Sequence, residues 1–258
     1  MSPRRKRTVV VTGSASGIGA AVRDRFARSG ARVVGVDLAG AEVHGDLSTA
    51  AGRQAAVAAV IDACDGCADG LVACAGLGPH VRPTPAIVAV NYFGALAVLD
   101  GLLPALEAGD AAAAAVVASN SAGITPPNPG LLDALAAEDE QTATSLAGAL
   151  DGATVYGMSK LALARSIRRR VRAFGQAGVR LNAVAPGPVD TPLLAASLED
   201  PTLGPLVDAL PVPLGRRAAP EEIAGAIAFL LDPANGYVHG SVLFVDGGTD
   251  ALLRPDAV

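Results

Sequence analysis

Residues 8 to 19 read Thr-Val-Val-Val-Thr-Gly-Ser-Ala-Ser-Gly-Ile-Gly, and this stretch decides the fold. The β-branched run Thr8 to Thr12 has the composition of a strand. A turn carrying Gly13, Gly17 and Gly19 follows, and apolar residues then recur at Ile18, Val22 and Phe26, the spacing of one helix face. The expectation is strand, turn, helix. Glycines at that junction let the backbone turn tightly and approach a pyrophosphate, whose charge the free N–H groups and dipole of a helix N-terminus favour. Gly13, Ser14, Ser16, Gly17, Ile18 and Gly19 are therefore candidate cofactor contacts. The spacing is Gly-x3-Gly-x-Gly rather than GxGxxG, and a merely flexible turn would use glycines too.

The next apolar run, Arg32 to Asp37, follows a stop signal at Gly30 and completes a βαβ unit. Asp37 ends that strand 20 residues beyond Gly17. An acidic side chain there accepts hydrogen bonds from an adenosine ribose 2′-OH and repels a 2′-phosphate, which favours NAD over NADP.

The alternation continues outward from this unit. Helices are expected over about Ala50–Cys64, Ile87–Leu106, Val155–Phe174 and Pro220–Leu231. Strands are expected at Gly70–Ala73, Ala113–Ala118, Val179–Val184 and Val242–Val245. Strands alternating with helices imply an α/β fold: a Rossmann-like, doubly wound parallel sheet of about seven strands in one domain over residues 1–258. Two stretches interrupt the rhythm. Residues 124–152, rich in Pro, Asp, Glu, Ala and Leu, occupy a connection where a few residues would suffice, and read as an insertion. Residues 187–215 carry Leu193, Leu194, Leu198, Leu203, Leu206 and Leu210 among prolines and read as a lid over a hydrophobic small-molecule substrate.

Composition narrows the partners. The chain is 51% hydrophobic with a net charge of −5, and no long basic stripe is apparent, so nucleic acid is not expected to bind the folded body. The run Arg4-Arg5-Lys6-Arg7 reads as a solvated lead-in. The short apolar run after it does not reach the length of a signal peptide core, and no apolar stretch could span a membrane, so a cytoplasmic location is expected. Cys64, Cys67 and Cys74 with His44, His80 and His239 make neither a disulfide framework nor four converging zinc ligands, and no metal is expected.

The segment Val-Tyr-Gly-Met-Ser-Lys, residues 155–160, places Tyr156 and Lys160 four apart on a helix, where they share a face. An unperturbed phenol has a pKa of about 10 and is a poor base near neutrality, and a nearby cation favours its anion. Lys160, helped by the positive charge of an oxidised nicotinamide, would bring Tyr156 into working range as an acid/base. Only Lys6 and Lys160 are lysines in a chain that otherwise uses arginine, which favours a specific role for the compact ammonium.

Taken together, the Thr12-Gly13 turn, Ala75-Gly76, Asn91, Tyr156-x-x-x-Lys160 and Pro186-Gly187 resemble the short-chain dehydrogenase/reductase family over nearly the whole chain. The stretches CAGLGP (Cys74–Pro79), VNYFGA (Val90–Ala95), GVRLNAVAPG (Gly178–Gly187) and YVHGSVLFVDGG (Tyr237–Gly248) resemble its bacterial 3α-hydroxysteroid dehydrogenase/carbonyl reductase subgroup, with the related coniferyl-alcohol dehydrogenases. The resemblance implies hydride transfer between NAD(H) and a hydrophobic secondary alcohol or ketone. An aryl-allylic alcohol dehydrogenase and a non-catalytic NAD(H) sensor are the alternatives. It further implies that Lys160 holds the nicotinamide ribose, that a serine meets the substrate carbonyl, and that Asn91 holds a water relaying protons from Lys160. Asp46 and Leu47 would flank adenine, while Val189 and Thr191 would meet the nicotinamide carboxamide. Two departures stand out. Ala73-Cys74 replaces the usual pair of asparagines, and position 143, where the family serine is expected, is Ala. The strand-end serine is instead Ser119, with Ser121 as the alternate. A homodimer or homotetramer is implied, and the insertion would push a dimer contact to a face other than the helices around Ile87–Leu106 and Val155–Phe174.

Overall fold

Thr8–Thr12 forms strand β1, and Val9, Val10 and Val11 are all fully buried. Three consecutive valines suit a central parallel strand, because both of its faces are covered. Val10 joins the core on one face of the sheet, and Val9 and Val11 join the core on the other. In this computed structural model, which describes residues 5–256, β1 is flanked by β2 (Arg32–Asp37) and β4 (Gly70–Ala73). The two-residue strand β3 (Val43–His44) pairs with the end of β2. Strands β5 (Ala113–Val117), β6 (Arg180–Pro186) and β7 (Val242–Val245) complete a seven-stranded, wholly parallel sheet in the order β3-β2-β1-β4-β5-β6-β7. The chain is a single-domain, Rossmann-like α/β fold. Its strand order reverses between β1 and β4, so the loops at their carboxyl ends part and leave a crevice.

Helices α1 (Gly17–Arg28) and α2 (Ala50–Ala63) follow the expected positions. The expected helix over 87–106 is broken. It begins as α3 (Pro85–Val88), winds through a π-helical turn at Ala89–Gly94, and resumes as α4 (Ala95–Gly101) and α5 (Leu103–Glu107). Pro104 lies in the first turn of α5, where its missing N–H costs nothing, and it cannot sit inside a continuous helix.

Residues 124–152 are not an appendage. After α6 (Ser121–Ile124), the segment holds α7 (Pro129–Ala136) and α8 (Glu140–Ala147), then leads into the long α9 (Gly152–Gln176). Asn128, Asp139 and Asp151 each cap the following helix through a side-chain oxygen, which gives the insertion three defined helix starts. Leu131, Leu135, Ala143 and Ala147 are fully buried in the main core. The guanidinium of Arg53, on α2, is buried and grips Glu140 with two bonds of 2.6 and 2.7 Å, while also donating to the carbonyls of Leu47 and Ala89. Arg170 on α9 ties Asp100 on α4 to Glu138 on the insertion.

Residues 187–215 also hold short helices, α10 (Pro192–Glu199) and α11 (Leu203–Asp208). They are followed by α12 (Pro220–Leu231) and, after β7, by α13 (Thr249–Leu253). The basic lead-in is anchored rather than solvated: Arg5 pairs with the buried carboxylate of Asp69, and Arg7 donates to the Leu231 carbonyl at 2.5 Å. Arg4 lies outside the described residues.

Candidate functional site

The turn after β1 is held against the loop after β4 by backbone contact. Gly13 has φ +69°, and a Cβ there would stand 2.8 Å from the Ala75 Cα, so only glycine permits the approach. Thr12 Oγ1 accepts the N–H groups of both Cys74 and Ala75 at 3.1 Å. Ser16 stands at the N-cap of α1, but its side chain makes no capping bond. The first-turn amides of α1 lack intrahelical acceptors by construction and stand at the rim of a cleft. That arrangement fits an anion such as a pyrophosphate.

The cleft has a volume of about 720 Å³ and runs along the carboxyl edge of the sheet. Gly13, Ser16, Gly17, Ile18, Gly19, Asp37, Asp46 and Leu47 border one end of it. Ala75, Gly76, Ser119, Tyr156, Lys160, Pro186, Gly187, Val189 and Thr191 border the rest. Ser14 and Asn91 do not line it and are fully buried. Asp37 accepts the N–H of Ala15 at 3.0 Å and of Leu38 at 2.7 Å, which fixes its carboxylate at the end of β2. Asp46 is held below the usual carboxylate range chiefly by hydrogen bonds from Ser48.

Tyr156 and Lys160 project from the first turns of α9 toward the end of β5. The Lys160 ammonium is buried, lies 5.8 Å from the centre of the Tyr156 ring and donates to the Val117 carbonyl at 2.7 Å. Burial pushes it down to about 8. Burial raises the Tyr156 phenol, and the neighbouring Ser119 hydroxyl pulls in the opposite direction. Of these two effects on Tyr156, loss of solvent is the larger. Cys74 sits by the same lysine, with its thiol raised by burial to about 12.

Of the two candidate serines, Ser119 lies beside Tyr156. Ser121 begins α6, and its Oγ is buried with no hydrogen-bond partner. The Asn91 side chain does not bond within its own helix: Oδ1 accepts Leu77 N–H at 2.7 Å and Nδ2 donates to Leu77 O at 3.0 Å, clamping the loop after β4.

The sequence reading missed several groups at the cleft. Ile124, Thr125 and Pro126 enter its wall from the start of the insertion, opposite Leu193, Leu194, Leu203, Leu206 and Leu210 of the 187–215 connection, which the sequence points to. His80 Nδ1 lies 3.0 Å from Ser197 Oγ and joins the loop after β4 to α10; no local pattern marks a pair 117 residues apart. Cys64 and Cys67 donate to the carbonyls of Ile61 and Ala108, and the described residues contain no cluster of three or more metal-ligating side chains. No helix among them is long and apolar enough to cross a membrane.

A doubly wound sheet with a glycine-lined crevice at its switch point and a half-buried tyrosine beside a buried lysine on its floor defines a nucleotide-dependent oxidoreductase. Comparison with known proteins is more specific. Residues 7–130 match the family described as short chain dehydrogenase, and residues 141–250 match that described as Enoyl-(Acyl carrier protein) reductase. The 3-alpha-hydroxysteroid dehydrogenase/carbonyl reductase of Comamonas testosteroni is 47% identical over 96% of this chain and 98% of its own. The cis-4-hydroxycyclohexanecarboxylate dehydrogenase of Sinomonas cyclohexanicum is 33% identical over 96% and 98%. A crystal structure of the 3-alpha-hydroxysteroid dehydrogenase from Pseudomonas sp. B-0831 complexed with NADH superimposes with a TM-score of 0.95 at 48% identity, covering 97% of this chain and all of that one. The chain belongs to the short-chain dehydrogenase/reductase family.

Proposed function

We propose that the protein catalyses reversible hydride transfer between NAD(H) and a hydrophobic secondary alcohol or ketone of the 3α-hydroxysteroid or related carbonyl class. The observation that carries this reading is the convergence of Tyr156, Lys160 and Ser119 on the floor of a cleft whose roof is leucine-rich. A dinucleotide bound along the crevice would supply the hydride donor or acceptor. Gly13 to Gly19 would hold its pyrophosphate, Asp46 and Leu47 would border the adenine, and Lys160 the nicotinamide ribose. Pro186, Gly187, Val189 and Thr191 would border the nicotinamide, with Ala75 and Gly76 beneath. Asp37, at the end of β2, favours an unphosphorylated ribose, so NAD is preferred over NADP.

Tyr156 passes its proton to the substrate oxygen in reduction and recovers it in oxidation. A buried phenol with a raised pKa stays protonated near neutrality and is ready to give a proton. Ketone reduction is therefore favoured near neutral pH, and alcohol oxidation rises as the pH is raised. Ser119 hydrogen-bonds the same oxygen, while Asn91 holds the loop after β4 and the path behind Lys160. The protein is read as cytoplasmic and dimeric. Because α7 and α8 pack on α9 and on the segment around α3 and the π-helical turn, the dimer contact falls on another face. Sedimentation of Arg165→Glu, an exposed position on α9, should leave the assembly unchanged, and dissociation would count against that placement.

The function is tested by following NADH absorbance with a panel of ketosteroids and with coniferyl aldehyde, using Tyr156→Phe as control. Turnover of a ketosteroid by the native chain, lost by a factor of about 10²–10⁴ in the variant while NADH binding persists, is the expected result. Faster reduction of coniferyl aldehyde than of any ketosteroid would move the substrate class. Binding of NADH without turnover by either protein would make the protein a sensor.

A further inference from the structure

The leucine-rich connection after β6 is tied to the rest of the molecule at its two ends. Asp190 N–H donates to the Ala218 carbonyl at 2.9 Å, Leu214 N–H to the Gly247 carbonyl at 3.2 Å, and Thr249 Oγ1 to the Pro211 carbonyl at 2.9 Å. Residues 192–210 in between are seated more lightly. Of the helices and strands, α11 is the one that α10 packs against closely, so the pair lacks the burial that fixes a core helix. Hydrogen bonds of residues 192–210 stay within residues 187–217, with one exception among the described residues: Ser197 Oγ and His80 Nδ1, 3.0 Å apart.

Ser197 is 2% exposed and borders the cleft beside Leu193 and Leu194, whereas His80 is half-buried and does not border it. A hydroxyl has a single hydrogen, and that of Ser197 goes to the Leu193 carbonyl at 2.9 Å, so the imidazole donates through Nδ1–H. Gly78 leaves room for the approach: a Cβ there would stand 2.7 Å from His80 Cε1 and 3.1 Å from Leu193 Cδ2. The loop that carries His80 is itself fixed, because Thr12 holds Cys74 and Ala75 and Asn91 clamps Leu77. The bond thus runs from a fixed loop to a lightly seated helix.

We propose that His80 is a positioning residue for the substrate, which through its bond to Ser197 fixes α10 so that Leu193 and Leu194 stand where an apolar alcohol or ketone packs. The inference rests on the function proposed above. His80 acts on where the apolar wall stands, and the proton chemistry at Tyr156 proceeds without it. A wall that spends part of its time out of place costs affinity in proportion to that time, so loss of the bond falls on KM rather than on kcat.

The test uses the full-length protein with NADH and a 3-ketosteroid, 5α-dihydrotestosterone, in His80→Ala, Ser197→Ala, the double variant, and His80→Asn, whose amide N–H stands close to the place of Nδ1–H. Expected in each alanine variant is a rise in KM of about threefold to tenfold, the size of one lost hydrogen bond, with kcat and the NADH dissociation constant within about twofold of native. The double variant should be no worse than the larger single effect, and His80→Asn should recover most of the loss. Amide exchange of residues 192–199 in the ligand-free protein, read by mass spectrometry, should quicken by about threefold to tenfold in His80→Ala while α9 exchanges as in the native chain. Native-like KM and exchange in His80→Ala would overturn the assignment. So would effects of the two substitutions that multiply in the double variant, a loss confined to Ser197→Ala, or a fall in kcat equal to the rise in KM. If His80→Ala does not fold, Ser197→Ala and His80→Asn are read by the same outcomes, and failure of all the variants to fold would make the bond structural and overturn the proposal. Absence of turnover by the native chain with ketosteroids and coniferyl aldehyde alike is the separate failure of the underlying function, and the exchange of α10 still reads the bond in that case.

Discussion

Residues 124–152 and 187–215 look alike as sequence, since both are overlong connections with many leucines, alanines and prolines, but they do opposite work. The first turns its leucines inward. Leu131 and Leu135 are fully buried, and α7 and α8 complete the core over α9. The second keeps Leu193, Leu194, Leu206 and Leu210 on the wall of the cleft, and Leu206 is 61% exposed. What separates them is not hydrophobicity but the company each side chain keeps. One segment supplies stability, and the other leaves apolar surface uncovered for a ligand.

The widest separation is expected from deletion. Removing 124–152 should leave no cooperatively folded protein by circular dichroism, because it strips buried apolar surface from α9 and orphans Arg53; a deletion chain that melts cooperatively would make the insertion dispensable. At single residues, Leu135→Ala should cost about 2–5 kcal/mol in denaturant unfolding, as core truncations do, with kcat/KM of the surviving folded protein little changed.

The floor of the cleft gives a pH-dependent case. Burial lowers Lys160 from its ordinary 10.5 to about 8. A lysine that binds its proton less tightly when folded penalises the folded state fully below pH 8, and the penalty fades as pH rises toward 10.5. Lys160→Met removes that penalty, worth roughly 3 kcal/mol at neutral pH. The native chain should therefore gain Tm relative to Lys160→Met as pH rises from about 7.5 to 10, whereas turnover by the variant should be severely reduced throughout. A Tm difference that does not move with pH, or moves the other way, would show that the buried ammonium is not strained. The smallest effect on stability belongs to the 187–215 connection: Leu206→Ala should change unfolding free energy by no more than about 0.5 kcal/mol. The same substitution should raise KM for an apolar ketone about tenfold, and an unchanged KM would remove Leu206 from substrate contact.

Much of the fold was legible because its signals are local. The valines of β1, the glycine turn and the Tyr156/Lys160 spacing each carry their meaning within a few residues. The strand Val43–His44 was not, since two residues paired at the end of β2 leave no periodicity to read. The broken helix was missed because apolar spacing continues through the π-helical turn while the backbone does not. At the site, Ser119 could be named from its place at a strand end, but its nearness to Tyr156 depends on how the chain returns from the insertion. The Leu77 clamp of Asn91 and the bond from His80 to Ser197 join residues whose separation in sequence hides them.

Arg53 has a consequence for anyone who would rebuild this protein from parts. One guanidinium joins the carbonyl of Leu47, at the rim of the crevice, to the carbonyl of Ala89, in the π-helical turn, and to Glu140 in the insertion. The insertion is thus not a transferable cassette. A chimaera that exchanges residues 124–152 with those of a relative inherits an arginine on α2 waiting for a carboxylate, and must bring that carboxylate with it or replace the arginine at the same time.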